Sequence, residues 1–193
     1  MVDTDRFPKV EVESVADLHR WLSKNHNRTE AVWLVTYRKS APAKYLSTDA
    51  VLDELVAFGW IDGVRRKLDD ERTMQLISPR RTKPWARTYK IRAERLIAEG
   101  RMQQPGMAGV QTAKDSGAWD AMNDVDDLLV PDDLRAALQA ASPAFEAFNS
   151  FPPSVRRNIL RWIASARTAT TRENRIRATT EEARHGRRVK SNG

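Results

Sequence analysis

The stretch Phe58-Gly59-Trp60-Ile61-Asp62-Gly63, running on through Val64–Leu68, Asp69-Asp70-Glu71 and Arg72–Ser78, decides the fold. Val64, Arg66 and Leu68 alternate with Arg65 and Lys67, and Met74 and Leu76 alternate with Thr73 and Gln75. A period of two on either side of a short acidic turn predicts a β-hairpin. Directly upstream, Ser47 or Thr48 caps a helix with Val51, Leu52, Leu55, Val56 and Phe58 on its buried side, and Gly59 closes it. The order α, β, α, β-hairpin and then helices is not an alternating βαβ series, so a doubly wound parallel sheet is not expected.

Working outward toward the N-terminus, Ala31–Tyr37 is a nearly unbroken apolar, β-branched and aromatic run and predicts a buried strand. Before it, Ser14 caps a helix carrying Val15, Leu18, Trp21 and Leu22, with Asp17 three residues after the cap. Toward the C-terminus the chain turns helical. Pro84 suits the first helical position, Tyr89, Ala93, Leu96 and Ile97 form a stripe, and Gly100 stops the helix. A shorter helix follows over 106–116, with Met107, Val110 and Ala113 inward. Residues 118–130 read as an acidic loop. Short helices over 131–141 and 143–151 lead to the strongest helix of the last third, with Val155, Ile159, Trp162, Ile163 and Ala166. Thr170 and Glu173 form a capping box for a last helix with only Ile176 and Ala183 to bury. The fold class is therefore α+β: a small antiparallel or mixed sheet with packed helices, followed by a helical C-terminal portion.

The chain has 193 residues, of which 40% are hydrophobic and six are Trp, enough for a real core. It contains no Cys, which excludes disulfides, thiolate metal sites and cysteine nucleophiles. The net charge of +7 is unevenly spread: −1 over residues 1–60, +6 over 61–101, −6 over 102–151 and +8 over 152–193. An acidic block that folds against a basic one leaves less positive surface than the composition suggests. Met1–Glu13 holds four acidic residues and no apolar run, and the longest apolar stretch falls far short of the ~20 residues that span a bilayer. The expectation is a cytoplasmic protein without a membrane span.

No glycine-rich phosphate loop, no nucleophile elbow and no paired metal histidines occur, the three His being His19, His26 and His185, so neither cofactor nor metal is expected. The informative constellation surrounds Asp62. Trp60 and Asp62 have the same parity at the mouth of the hairpin, and Arg65 follows on the same strand. If the hairpin returns beside its start, Arg80 or Arg81 comes near Asp62, with Trp85 opening the next helix. A carboxylate facing guanidiniums between two indoles makes a cleft for a small anionic or planar ligand or a protein partner. The plainer reading is an Asp–Arg pair that holds the hairpin in place.

The run Leu18-His19-Arg20-Trp21-Leu22, then Val32-Trp33-Leu34, Phe58-Gly59-Trp60-Ile61-Asp62-Gly63, Ser78-Pro79-Arg80-Arg81, Trp85 and Glu94-Arg95-Leu96-Ile97 resembles the YdeI/OmpD-associated (OmdA-like, bacteriocin-protection) family. Phe151-Pro152-Pro153-Ser154 through Trp162-Ile163 and on to Arg175-Ile176 is similar to its small C-terminal domain. The resemblance implies a YdeI-like α+β domain over 1–119, a helical OmdA-like domain over 120–185 and a basic tail over 186–193. It implies tolerance of bacteriocins or cationic antimicrobial peptides, a link to an outer-membrane porin and an envelope setting, with no agreed reaction. Ala57 stands where the family often has Cys, so thiol chemistry is not expected. Pro84, Ala86 and Tyr89 stand where it often has two Ser and an Asn.

Three functions follow. The first is a non-enzymatic stress or antimicrobial-peptide resistance protein, binding a ligand or partner through Trp60, Asp62, Arg65, Arg80, Arg81 and Trp85. The second is nucleic-acid binding, with Trp85 and Tyr89 interleaved among Lys83, Arg87 and Lys90, and with Arg172 and Arg175 of the last helix along phosphates. The third is an enzyme with Asp62 as acid or base and an arginine steadying an anion.

Overall fold

The computed structural model describes residues 4–81 and 84–190. The chain forms two compact units, Met1–Asp120 and Ala121–Gly193, and the class is α+β.

In the first unit, β1 (Lys9–Glu11), β2 (Val32–Tyr37), β3 (Trp60–Lys67) and β4 (Arg72–Pro79) form a mixed sheet in the order β1-β2-β4-β3. β1 runs parallel to β2, and the other pairs are antiparallel. β1 has only three residues and no periodic signal of its own; its pairing to Trp33–Val35 makes it a strand. β2 is buried on both faces, which explains its unbroken apolar run. On one face Val32 and Leu34 join the core with Leu18, Leu22, Leu55, Trp60, Ile77 and Leu96. On the other, Trp33 Nε1 donates to the Thr4 carbonyl (2.8 Å) and the Arg66 guanidinium lies 5.1 Å over the ring.

The covering helices are α1 (Val15–Asn25), α2 (Thr48–Ala57), α3 (Arg87–Ala98) and α4 (Gln104–Asp115). Ser14 and Ser47 cap α1 and α2 through their side chains, each satisfying an N–H that the helix leaves unpaired. Three expectations need correction, and two buried acids add to the sequence reading. α3 starts at Arg87 with Ala86 as its cap, so Pro84 and Trp85 precede the helix rather than opening it. Ile97 and Met107 face outward. Gln75 and Ile77 are the buried residues of β4, rather than Met74 and Leu76, because the helices cover the face that Ile77 shares with Val32. Asp53 and Glu54 are buried within the apolar side of α2.

The second unit contains α5 (Asn123–Asp126), α6 (Asp132–Gln139), α7 (Ala144–Ser150), α8 (Pro153–Ala164) and α9 (Ala169–Arg184). Its core joins Leu134, Leu138, Phe148, Ile159, Ile163 and Ala183. The helical turn of α5 interrupts the expected acidic loop. α9 is capped by Thr168, whose Oγ1 accepts from the Thr171 N–H (3.1 Å), rather than by Thr170. The residues after α9 are not a simple frayed tail, since Val189 packs on this core. Acidic and basic blocks meet inside the unit: Asp133 with Arg172 at 2.6 Å, and Asp126 with both Arg157 and Arg161 at 3.8 Å. No described helix is long and apolar enough to cross a membrane.

Candidate ligand site at the mouth of the hairpin

The C-terminal end of α2 positions the site. Gly59 takes φ +73°, the left-handed turn that ends a helix, and its carbonyl accepts the Arg80 N–H (2.8 Å). That bond pins the end of β4 beside the start of β3, so Arg80 arrives near Asp62. The Trp85 N–H then donates to the Ala118 carbonyl (3.0 Å), which brings the first turn of α3 over the hairpin.

Asp62 is hydrogen-bonded through both oxygens. Oδ1 accepts from the Tyr89 hydroxyl, and Oδ2 accepts from Gln75 Nε2 (2.9 Å). Gln75 Oε1 in turn accepts from Arg65 Nη2 (2.7 Å). The result is a chain Arg65–Gln75–Asp62–Tyr89 across two strands and a helix. Arg80 sits at its end, with its guanidinium carbon 4.1 Å from the Trp85 ring centre and 4.6 Å from that of Tyr89. Its one hydrogen bond to a described acceptor is a long contact to the Pro84 carbonyl (3.5 Å). Burial lowers Arg80 from its ordinary value to about 10, with Tyr89 and Asp62 pulling the other way. Burial and then the bond to Asp62 push Tyr89 up to about 12. Both groups keep their protons at neutral pH, so the site offers a fixed cation beside a neutral phenol.

The expected residues divide accordingly. Asp62, Arg65 and Arg80 come together, though among the described residues no ion pair joins Asp62 to either arginine. The Asp–Arg pair of the plainer reading is replaced by neutral donors on Asp62. Arg81 turns away and donates to the Thr29 carbonyl (2.9 Å). Trp60 is 0% exposed and edge-on to Trp21, and Trp85 is 2% exposed against Trp119. The indoles are core residues rather than exposed walls of a cleft. Gln75 and Tyr89 were missed as partners of Asp62. They lie 13 and 27 residues beyond it, and no local spacing marks them. The one available signal was a lone polar residue between Met74 and Leu76.

Of the nucleic-acid set, Lys83 lies outside the described residues and Arg87 is exposed. Lys90 pairs with Asp120 (3.3 Å) and lies 5.6 Å over Trp119. Arg172 forks Asp133 (2.6 and 2.9 Å), and Arg175 bonds the Trp162 carbonyl and Ser165 Oγ. Three of the cations meant for phosphates are thus engaged within their own chain. Among the described residues no group of three or more His, Cys, Asp and Glu is placed to hold a metal ion.

The Tyr89 bond is open to a direct check. Spectrophotometric titration of the phenols shows a tyrosine titrating near pH 12, absent from Tyr89→Phe and moved to lower pH in Asp62→Asn. Tyr37, raised by its hydrogen bond to Glu11, stays in both variants, so only a phenol still titrating near pH 12 in Tyr89→Phe places the Tyr89 shift elsewhere. Stability is the poorer readout. The Tyr89 contribution is complete below its ordinary value near 10 and fades toward 12, while the burial penalty of Arg80 is relieved over the same range as that group deprotonates.

No curated protein and no solved structure matches the chain. Residues 127–186 match the family described as "Bacteriocin-protection, YdeI or OmpD-Associated". Residues 10–109 match a separate model, the domain of unknown function DUF8412. The YdeI/OmpD-associated likeness is thereby shown for the C-terminal region, while the α+β region falls under its own description. With more than half of its 193 residues under the latter model, the chain belongs to the DUF8412 family and carries a YdeI/OmpD-associated domain after it.

Proposed function

We propose that this protein is a non-enzymatic, resistance-associated binding protein of the bacteriocin-protection kind, and that its α+β unit captures an oxyanion-bearing ligand at Arg80. The association with bacteriocin protection rests on the description of the matched family. The binding step rests on one observation: a half-buried guanidinium held against two aromatic rings, with one long hydrogen bond of its own. Stacking on rings leaves the in-plane N–H groups available for a carboxylate or phosphate fork. Asp62 supports this arrangement as a positioning residue. Both its oxygens are engaged, so it holds Tyr89 and Gln75 in place instead of exchanging protons with a substrate. With Tyr89 neutral to about pH 12, neither the phenol nor the guanidinium is poised for proton transfer at neutrality, which favours binding over catalysis.

Thermal unfolding of the full chain with millimolar glutarate, citrate or inorganic phosphate tests the reading. A bound anion raises the midpoint by mass action. Arg80→Lys keeps the charge but loses the fork, so it abolishes that rise while its far-ultraviolet circular dichroism stays native. The reading fails if none of the three anions moves the wild-type midpoint, or if Arg80→Lys responds as the wild type does.

A further inference from the structure

We propose that the ligand at Arg80 is carried by an extended acidic peptide that adds to the sheet as a fifth strand beside β3. This rests on the reading of Arg80 as an oxyanion site and specifies the oxyanion as a carboxylate side chain of the added strand.

β3 is an outer strand, with β4 on one side and no described strand on the other. The hydrogen bonds at its two ends fix which backbone groups face outward. The Leu68 N–H donates to the Arg72 carbonyl (3.1 Å), and the Gly59 carbonyl accepts from Arg80 (2.8 Å), so Leu68 and Gly59 both face β4. In an antiparallel ladder, N–H and C=O of one residue point the same way and alternate along the strand. Stepping inward from both anchors, across the register shift between Asp62 and Arg65, leaves the backbone groups of Asp62, Arg65 and Lys67 on the open side. Gly63 through Lys67 are all exposed. From Lys67 back to Asp62 is five steps, or about 17 Å at ~3.3 Å per residue, room for a short peptide.

Charge selects the occupant. Arg65, Arg66 and Lys67 are three consecutive cations, so a second copy of the same edge is repelled, whereas an acidic strand is attracted. The strand already shows what these cations take. Arg66 reaches Asp5 (3.1 Å) and Lys67 reaches Asp70 (2.6 Å), acids that are 80% and 95% exposed. Such exposed pairs are worth little, so exchanging them for the carboxylates of a partner is cheap. Side chains also alternate in face. Arg65 and Asp62 both meet Gln75, so they share the face that carries Tyr89 and Arg80. A strand laid along β3 from Lys67 toward Asp62 brings an acidic side chain to Arg80 at its far end.

The test uses isotope-labelled full-length protein and a capped hexapeptide alternating Glu and Thr, with a Lys-Thr peptide and glutarate as comparisons. The Glu-Thr peptide is expected to shift the Arg65 and Lys67 amides and slow their exchange, while the Lys-Thr peptide leaves them unchanged. Lys67→Pro removes one outward N–H and leaves the bonds to β4 in place. It is expected to weaken the Glu-Thr peptide about tenfold, the loss of a backbone hydrogen bond at the interface. Lys67→Thr removes only the charge and weakens it less, and glutarate binds both variants as it binds the wild type. Equal peptide binding by wild type and Lys67→Pro overturns strand addition. So does a silent peptide beside active glutarate, which leaves the oxyanion reading standing. Silence from both ligands overturns both.

Discussion

Gly106→Ala is expected to destabilise the first unit by about 3 kcal/mol, or to prevent its folding. Gly106 lies in the first turn of α4, pressed against the last turn of α2. A Cβ built there falls on the Ala57 carbonyl oxygen, 2.8 Å from its carbon and 2.9 Å from the Val56 oxygen. These are backbone atoms of a helix end, so no side chain can swing aside. The same Ala57 carbonyl accepts the Gln103 N–H (3.1 Å), and a shift that relieves the clash breaks that bond. It also disturbs Gly59, whose own added Cβ would lie 3.1 Å from the Pro105 oxygen. Gly109 in the same helix is the control. Nothing lies within 4 Å of a Cβ there, so Gly109→Ala is neutral or stabilising by up to ~1 kcal/mol through helix propensity. Chemical denaturation of the two variants measures the opposite signs. Equal effects would show that the α2–α4 approach is looser than this geometry requires.

Asp53→Asn is expected to cost about 3 kcal/mol, at the low end for removing one partner from a buried ion pair because the arginines keep part of their hydration. The Asp53 side chain is 10% exposed. Oδ1 accepts from Arg92 and from Arg95 (2.5 Å), and Oδ2 lies 3.3 Å from Arg101. Next to it, Glu54 meets His19 at 2.8 Å and Arg101 at 4.0 Å. One helix thus gathers α1, α3 and the segment after α3 around two buried carboxylates. Asparagine keeps the shape and removes the charge, leaving three guanidiniums against a neutral amide. Burial pushes Asp53 up, but the hydrogen bonds from Arg95 and Arg92 outweigh it and hold the group below its ordinary 3.8. A lowered folded value contributes stability that is present above pH 3.8 and is lost as pH falls through the folded value. Denaturant midpoints of the wild type therefore drop below about pH 4, and the Asn variant, which has already lost this contribution, shows a shallower drop. Parallel pH profiles for the two proteins would remove Asp53 from the acid response.

Part of the candidate site was readable in the chain because its approach is local. Gly59 ends a helix, a hairpin follows, and a hairpin must return to its start, so either Arg80 or Arg81 had to be near Asp62. What surrounds them was not local. Burial of Gln75 depends on which face of β4 the helices cover, and alternation alone leaves that choice open. Tyr89 reaches Asp62 from a segment that the Trp85 N–H ties to the Ala118 carbonyl, more than thirty residues further on. Asp53 and Glu54 escaped notice because periodicity ranks apolar residues, while their arginine partners on α3 lie about forty positions on.

By itself the sequence determined the buried strand and the hairpin, most helices in their order, and the likeness of the C-terminal region to the YdeI/OmpD-associated family. These rest on periods of two and 3.6 residues, on caps and on glycine stops, all of which act within a few residues. Tertiary structure alone decided that β1 is a strand, that Trp60 and Trp85 are core, and that Asp62 bonds a phenol and an amide rather than an arginine. It alone stacked Arg80 on two rings with one long hydrogen bond to a described acceptor. Each of these follows from contacts between segments far apart in the chain, where packing and hydrogen-bond satisfaction, rather than local propensity, set the lower free energy.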